Sequence, residues 1–595
     1  MNIQTEVGEI VSVNGNAVTI QLSDSVKSNM SVLDGIVYRI GQIGSFLKVP
    51  LGYTNLYGIV TQIGASAIPD KIKEIVEQDY SQLDNKQFLN MVLIGEQLGQ
   101  IFQRGVSQSP TTGDKVHLVT IKDLDIIYGG YDINNSIVVG NISISESLSA
   151  KIDLNKLISR HCAIVGSTGS GKSNAVGVLL NSIVDKGYKS SRILVIDPHG
   201  EYNSILKGKS NVYRIRANIL DGEKELYIPF WALPFNELMS IFSGSLTDQN
   251  RDYFKTKIEE AKQNAVSINN IDIGKELIAV DAPIPFSLKR LWFELDDFER
   301  QTFEKARQPE TKMKPVVQGC AETLVSSIYP PSGSGASAPF LNHQARGILS
   351  FLDNVRIKLK DSTYDFLFQP GDYTPTLDGK IEKDLSHLLF EWIGGGDRPV
   401  TILDLSGIPS EIMTSVSGTI LKVIYDALFW GQNLSNGGKE QPLLIVLEEA
   451  HNYLKTGGKS ISSKTVQSIA KEGRKYGVGL ALVTQRPSEL DETVLSQCGT
   501  MIALRMNNSK DRSYIKSAIH DELQTMVDLL PSLRTGEGLI SGEGVKIPSR
   551  VQFYRLSNAP KSSDPKVSEK WMEEKDVTLD HYEQLLSCWR KKTTK

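Results

Sequence analysis

The stretch His161-Cys-Ala-Ile-Val-Gly-Ser-Thr-Gly-Ser-Gly-Lys-Ser173 constrains this chain more than any other. Residues 166–173, GSTGSGKS, satisfy G-x-x-x-x-G-K-[ST] in full, follow an apolar strand and precede a helix carrying Ala175, Val176, Leu179, Leu180 and Ile183 on one face. Strand, glycine-rich turn and helix in that order form an α/β unit whose loop cradles phosphate. Gly166, Gly169 and Gly171 let the backbone curl so that its N–H groups face an anion, and the helix start adds the positive end of its dipole. The expected nucleotide-binding set is Gly166, Ser167, Thr168, Gly169, Ser170, Gly171, Lys172, Ser173 and Asn174. Lys172 would neutralise the β and γ oxygens of ATP, and Ser173 would ligate Mg2+.

A second feature is the apolar run Leu443-Leu-Ile-Val-Leu447, suited to a strand buried on both faces, which ends in Glu448 and Glu449. Taken alone, two acids there also suit the first turn of a following helix, where the dipole favours them. Beside a P-loop they acquire a chemical reading, because open α/β sheets bind ligands at the carboxyl ends of their strands. Phosphoryl transfer needs an acid near the metal and a group that orients the attacking water. Glu448 is expected to hold the magnesium shell through water, at a position where Asp is more usual, and Glu449 to polarise the water.

At 595 residues, with 40% of them hydrophobic, the chain can bury several cores, and a prior of about 150 residues per domain suggests three or four. Sixty-five Lys and Arg against 69 Asp and Glu give a net charge of −4, so any polyanion must be met by a local patch. The four cysteines, Cys162, Cys320, Cys498 and Cys588, are far apart and form no CxxC pair, which suits a reduced, zinc-free chain. MNIQTEVGEI lacks a basic-then-apolar signal and no apolar run approaches the ~20 residues a bilayer requires, so the expected location is cytoplasmic, with no membrane. Residues 1–135 read as a β-rich domain of short strands broken by Gly, with a hairpin signal at Asn14-Gly15, and suggest a small barrel. From 136 the texture becomes alternating strands and helices, a parallel-sheet core in two parts, 136–210 and 396–560. The block 211–395 reads as a mostly helical insertion, and 561–595 as a polar tail or docking arm.

HCAIVGSTGSGKS, Ile196-Asp-Pro-His-Gly-Glu-Tyr202, LEEAHNYL, and Glu472-Gly-Arg-Lys-Tyr-Gly477 running into Leu482-Val-Thr-Gln-Arg-Pro487 together resemble the HerA-type ATPases, relatives of the FtsK DNA pumps among the RecA-like P-loop proteins. The β-rich N-terminal region is similar to that family's barrel, and the likeness covers most of the chain, least in the insertion and tail. Glu448 departs from the family pattern, which generally has Asp there. The resemblance implies an α/β fold with a RecA-like ATPase core, a homo-hexameric ring that hydrolyses ATP between subunits, and passage of double-stranded DNA through its channel. It also makes Arg160, just ahead of the P-loop strand, a second arginine at the subunit junction. Arg474 sits in a polar, Gly-containing segment before the strand 479–484, placed for an arginine finger reaching a neighbour's γ-phosphate, although a plain surface arginine fits the same pattern. Gln485 ends that strand and could sense the γ-phosphate or simply cap a helix.

Asp197, His199 and Glu201 could suggest a metal cluster, but the Pro-bearing turn favours a phosphate-edge or turn-structuring role. His451 is expected one turn into a helix after Glu449, packed or capping, and Asp404 is expected near the same sheet edge. Lys455, Lys459 and Lys464 lie among Gly and Ser with no acid, a loop suited to sequence-independent phosphate contact; six copies would line a channel. An ordinary solvated loop fits equally. Two functions follow: a DNA-translocating motor that works with a separate nuclease or other effector in end processing or antiviral defence, or an ATP-gated ring platform that organises an effector with little pumping. The family resemblance suggests that the effector docks on the barrel.

Overall fold

Six antiparallel strands close on themselves at the N-terminus. Their order is Ala17–Leu22, Glu6–Asn14, Lys115–Leu118, Phe46–Leu51, Thr54–Ile63 and Phe88–Leu98, and the last pairs back onto the first, so the ring has no open edge of its own. The computed structural model describes residues 5–591 except 24–29, 34–35, 40–41, 65–86, 144, 243, 334–336, 396–397, 455–456, 459, 519–523, 559–566 and 576. Alternation of side chains along each strand puts Ile10, Ile20, Val49, Leu56, Val60, Leu89 and Met91 inside the barrel. At the first hairpin Asn14 pairs with Ala17 across Gly15, whose φ of +61° is the conformation that makes glycine the turn residue.

The second body is a 12-stranded sheet. Eight of its strands are parallel, in the order Thr500–Leu504, Cys162–Val165, Val478–Thr484, Leu443–Leu447, Arg192–Asp197, Val400–Asp404, Ser210–Arg214 and Lys224–Glu225. Every residue of the six strands from Thr500–Leu504 to Val400–Asp404 is buried, which is why each reads as an unbroken apolar run rather than an alternating one. Glu537–Gly542, Ser549–Phe553, Ser136–Ile142 and Ser145–Asp153 continue the sheet antiparallel beyond Thr500–Leu504.

The block 211–395 starts on this sheet with its last two strands and then carries the helices Asp248–Ile268, Leu288–Arg300, Leu349–Lys360 and Leu385–Ile393. Between Arg300 and Leu349 the described residues form only the short strands Thr302–Phe303 and Phe340–Leu341 and a 3₁₀ turn, so the block is less helical than its sequence suggests. Phe230, Trp231, Trp292, Phe351 and Phe368 belong to the same apolar core as the sheet, so this block packs onto the sheet. The helix Ser410–Trp430 is long and apolar enough to cross a membrane by composition, but half of its apolar window is buried and Val416, Ile420, Leu421 and Ile424 pack into the core. Two tail helices, Val567–Met572 and Leu579–Lys591, expose Trp571, Leu579, Leu585 and Trp589.

Because the eight strands run parallel, one edge of the sheet carries all their carboxyl ends and the other all their amino ends. Residues 166, 197, 404, 448, 485 and 505 emerge at the first edge; residues 160, 192, 442 and 477 enter at the second. The chain's chemistry is divided between these two edges.

Candidate active site

At the carboxyl edge the P-loop turns out of Cys162–Val165 and into the helix Lys172–Asp185. Gly169 (φ +72°) and Gly171 (φ +98°) hold left-handed backbone that a side chain would strain. A Cβ on Gly171 would also meet the backbone of Gly536 at 3.0 Å, and Gly536 N–H donates to the Ser170 carbonyl at 2.9 Å. Two further backbone bonds fix the loop to its neighbours, Gly166 N–H to Thr484 O at 3.3 Å and Ser167 N–H to Arg505 O at 3.0 Å. The loop is therefore shaped before any anion arrives. Lys172 is buried, with Nζ 3.8 Å from Glu449 Oε1 and 4.0 Å from Glu448 Oε1, so the ammonium stands between the phosphate loop and the acid pair.

The strand Leu443–Leu447 delivers those acids two strands away from the P-loop strand, with Val478–Thr484 between them. Both are buried, and Glu449 has φ +49° and ψ +52°, a left-handed conformation that costs a non-glycine residue about 1–3 kcal/mol and that folds retain mainly at functional sites. After it the chain makes only a three-residue 3₁₀ turn, Ala450–Asn452, instead of the expected helix, because the left-handed step breaks the helical path. His451 consequently stays in the site: its Nδ1 lies 3.1 Å from Thr484 Oγ1 and 3.2 Å from Glu449 Oε2.

The two neighbouring acids are pushed in opposite directions. Burial raises Glu448 to about 8, beyond what the nearby Lys172 ammonium and the Tyr202 hydroxyl, donating to Oε2 at 2.5 Å, restore. Burial also acts on Glu449, but the adjoining His451 ring and Lys172 outweigh it and hold that carboxyl below the ordinary glutamate value. Titratable neighbours whose environments separate them in this way take different roles. Glu449 is the one ionised and able to accept a hydrogen bond from water at neutral pH.

Gln485 meets the P-loop directly, its Oε1 accepting from Thr168 Oγ1 at 2.6 Å. Three contacts were not expected from the sequence. Ser173 Oγ donates to Glu201 Oε2 at 2.7 Å, Tyr202 reaches Glu448 as above, and Arg505 Nη2 donates to the Gly169 carbonyl at 3.3 Å. Arg505 follows the apolar run Thr500–Leu504, so the same strand-end signal that marked Glu448 would have found it. Asn174 turns its side chain away to the C-terminal segment, donating to Tyr554 O at 2.8 Å and accepting from Leu556 N–H at 3.1 Å. Asp197 structures its turn, accepting the N–H groups of His199, Gly200 and Tyr202, and Asp404 pairs with Arg214 Nε at 3.4 Å.

Arg160 and Arg474 stand at the opposite, amino edge. Arg160 caps the helix Leu154–Ser159 and lies 3.5 Å through Nε from Glu543; Arg474 is exposed in the turn Gly473–Tyr476. Seven residues of strand, Val478–Thr484, separate that turn from Gln485, roughly 20 Å at about 3.3 Å per residue. Of the three lysines expected to contact DNA, Lys455 and Lys459 lie outside the described residues. Lys464 does not sit in a loop: Ser460 accepts Ser463 N–H and starts the helix Ile461–Glu472, which carries Lys464 on its exposed side.

The donor set fits ATP and a divalent cation. A preformed cradle, a buried ammonium and a serine hydroxyl converge beside the acids, and Ser170 Oγ at the P-loop is buried without a hydrogen-bond partner among the described residues. No three His, Cys, Asp or Glu side chains among the described residues form a metal cage, and Mg2+ does not require one, since it keeps waters and takes phosphate oxygens.

A parallel sheet with a P-loop, an acid pair one intervening strand away and a polar strand-end sensor between them define a P-loop ATPase. Two successive family models, the central domain of the HerA helicase and the HerA-like C-terminal region, match residues 137–424 and 416–585. The chain belongs to the HerA helicase family. The DNA double-strand break repair helicase HerA of Pyrococcus furiosus is 27% identical over 457 residues, 75% of this chain and 73% of that protein. The protein of the same description from Sulfurisphaera tokodaii is 26% identical over 546 residues, 90% of this chain and 93% of its own length. Among solved structures, VirB4 of Thermoanaerobacter pseudethanolicus superposes with a TM-score of 0.45 and 14% identity over 72% of this chain and 99% of that one. The plasmid coupling protein TrwB in complex with ADP and Mg2+ gives 0.39 and 12% over 68% and 88%.

Proposed function

We propose that this chain is an ATP-hydrolysing motor that assembles as a homo-hexameric ring, moves or unwinds double-stranded DNA, and works with a separate nuclease or other effector in end processing or antiviral defence. The observation that carries the ring is the division of the machinery between the two edges of the sheet. Lys172, Ser173, Glu448, Glu449 and Gln485 gather at the carboxyl edge, while Arg474 and Arg160 stand about 20 Å away at the amino edge. No side chain spans that distance within one chain, which supports a role for these arginines at another copy's nucleotide. Head-to-tail contacts whose rotation closes generate rings, and the family resemblance favours closure here.

Within one junction, the P-loop backbone and Lys172 would hold the triphosphate, Ser173 would ligate Mg2+ with Glu448 reaching its shell through water, Glu449 would orient the attacking water, Gln485 would report the γ-phosphate to Thr168, and a neighbour's Arg474 would meet the charge of the transferring group. Magnesium would neutralise charge on the β and γ oxygens. DNA as the cargo is supported by the relatives' description as DNA repair helicases; Lys455, Lys459 and Lys464 are the candidate phosphate contacts. Effector docking on the barrel rests on the family resemblance; the barrel has an inner core of its own, and Phe46, Tyr57, Ile59 and Phe102 join it to the core of the sheet.

Lys172→Ala is expected to weaken ATP binding about 10–150-fold, since a charged hydrogen bond contributes about 1.5–3 kcal/mol. Titration with a fluorescent ATP analogue reads this directly. The motor and the gated platform separate in one ATPase assay: the motor requires stimulation by duplex DNA, and stimulation only by a partner protein would replace it with the platform.

A further inference from the structure

The turn Asp197–Tyr202 is tied to the phosphate end of the site at two points, and its own construction leaves it a single shape. Asp197 is fully buried and accepts three backbone N–H groups, from His199 at 3.1 Å, Gly200 at 2.9 Å and Tyr202 at 3.0 Å. Gly200 has φ +71°, and a Cβ there would fall 2.8 Å from Asp404 Oδ2, so the turn requires glycine at this position. From this fixed turn Tyr202 points into the interior to Glu448, and Glu201 points to the P-loop, where it accepts from Ser173 Oγ at 2.7 Å. Glu201 precedes the four-residue helix Tyr202–Ile205 without making a side-chain cap. Its carboxylate contact with Ser173 therefore needs an explanation other than helix capping.

A serine hydroxyl that binds a cation does so through an oxygen lone pair and keeps its proton, which then needs an acceptor directed away from the ion. We propose that Glu201 is the positioning residue of the metal site: by accepting the Ser173 proton it turns the serine lone pairs toward the ion and sets the Mg2+ affinity of the nucleotide complex. This rests on the ATPase reading above. Groups that orient a metal ligand in this way are worth about 10–100-fold in metal affinity. Glu201 acts through Ser173, whose hydroxyl is its partner at the P-loop.

The test is binding of a fluorescent ATP analogue to the full chain, titrated with Mg2+ and repeated in EDTA. Glu201→Ala should raise the Mg2+ concentration for half-maximal binding by about 10–100-fold while leaving affinity in EDTA and the melting temperature at wild-type values. Glu201→Gln, whose amide oxygen can still accept the hydroxyl proton, should recover much of that shift. Ser173→Ala combined with Glu201→Ala should be no worse than Ser173→Ala alone, the signature of two groups acting as one. An unchanged Mg2+ curve in Glu201→Ala, an equal loss with and without Mg2+, or additive effects in the double variant would overturn the assignment. Failure of the wild-type chain to bind the analogue at all would instead remove the ATPase reading.

Discussion

Replacing Glu449 by Gln should lower ATP hydrolysis by about 10²–10⁴-fold, the range a positioned acid–base group supplies, while ATP stays bound. The substitution keeps the shape and the left-handed backbone of the residue and removes only its charge. His451 and Lys172 outweigh burial and leave Glu449 ionised, so this carboxylate can accept a hydrogen bond from a water. Lys172 stands 3.8 Å from Glu449 and loses a competitor for its charge when the acid becomes an amide, so phosphate binding has no reason to weaken. Nucleotide affinity by fluorescence and turnover by phosphate release, measured on the same preparation, separate the two effects. A parallel collapse of both would show that Glu449 shapes the pocket and does not serve the water.

The second large effect concerns Arg474. Its removal should cost about 10³–10⁵ in turnover if it meets the transferring phosphoryl group, as arginine fingers do. What distinguishes a finger in trans is the behaviour of mixtures. Arg474→Ala and Glu449→Gln damage opposite walls of one junction, and each alone should give nearly inactive rings. In rings assembled at random from equal amounts of the two, about a quarter of the junctions pair an intact Glu449 wall with an intact Arg474, because closed rings use the same two faces at every junction. Hydrolysis should therefore return well above the level of either variant. Were Arg474 to serve its own subunit, every site in the mixture would carry one lesion, and activity would stay at the background even in rings shown by mass to be mixed. The roughly 20 Å of strand between Arg474 and Gln485 is the reason to expect recovery.

Both predictions come from features that were partly visible before any fold was known, and the division is physical. The amino-acid sequence determined what depends on neighbours along the chain. A glycine-rich turn between an apolar strand and a helix can adopt few shapes, so residues 166–173 declared a phosphate loop by themselves; continuous apolar runs announced strands covered on both faces, and acids at the end of one such run announced a sheet edge. Local rules failed where a single backbone step intervened. The left-handed Glu449 stopped the expected helix and kept His451 in the site, and Ser460 capped a helix that took Lys464 out of its loop. Everything that depends on residues far apart in the chain was decided by the tertiary structure. Ser173 and Glu201, Tyr202 and Glu448, and Arg505 and Gly169 meet only because parallel strands in register bring their carboxyl ends to one edge. The opposite pushes on Glu448 and Glu449 are likewise tertiary, since two identical side chains in sequence differ only in what burial and the surrounding charges do to each.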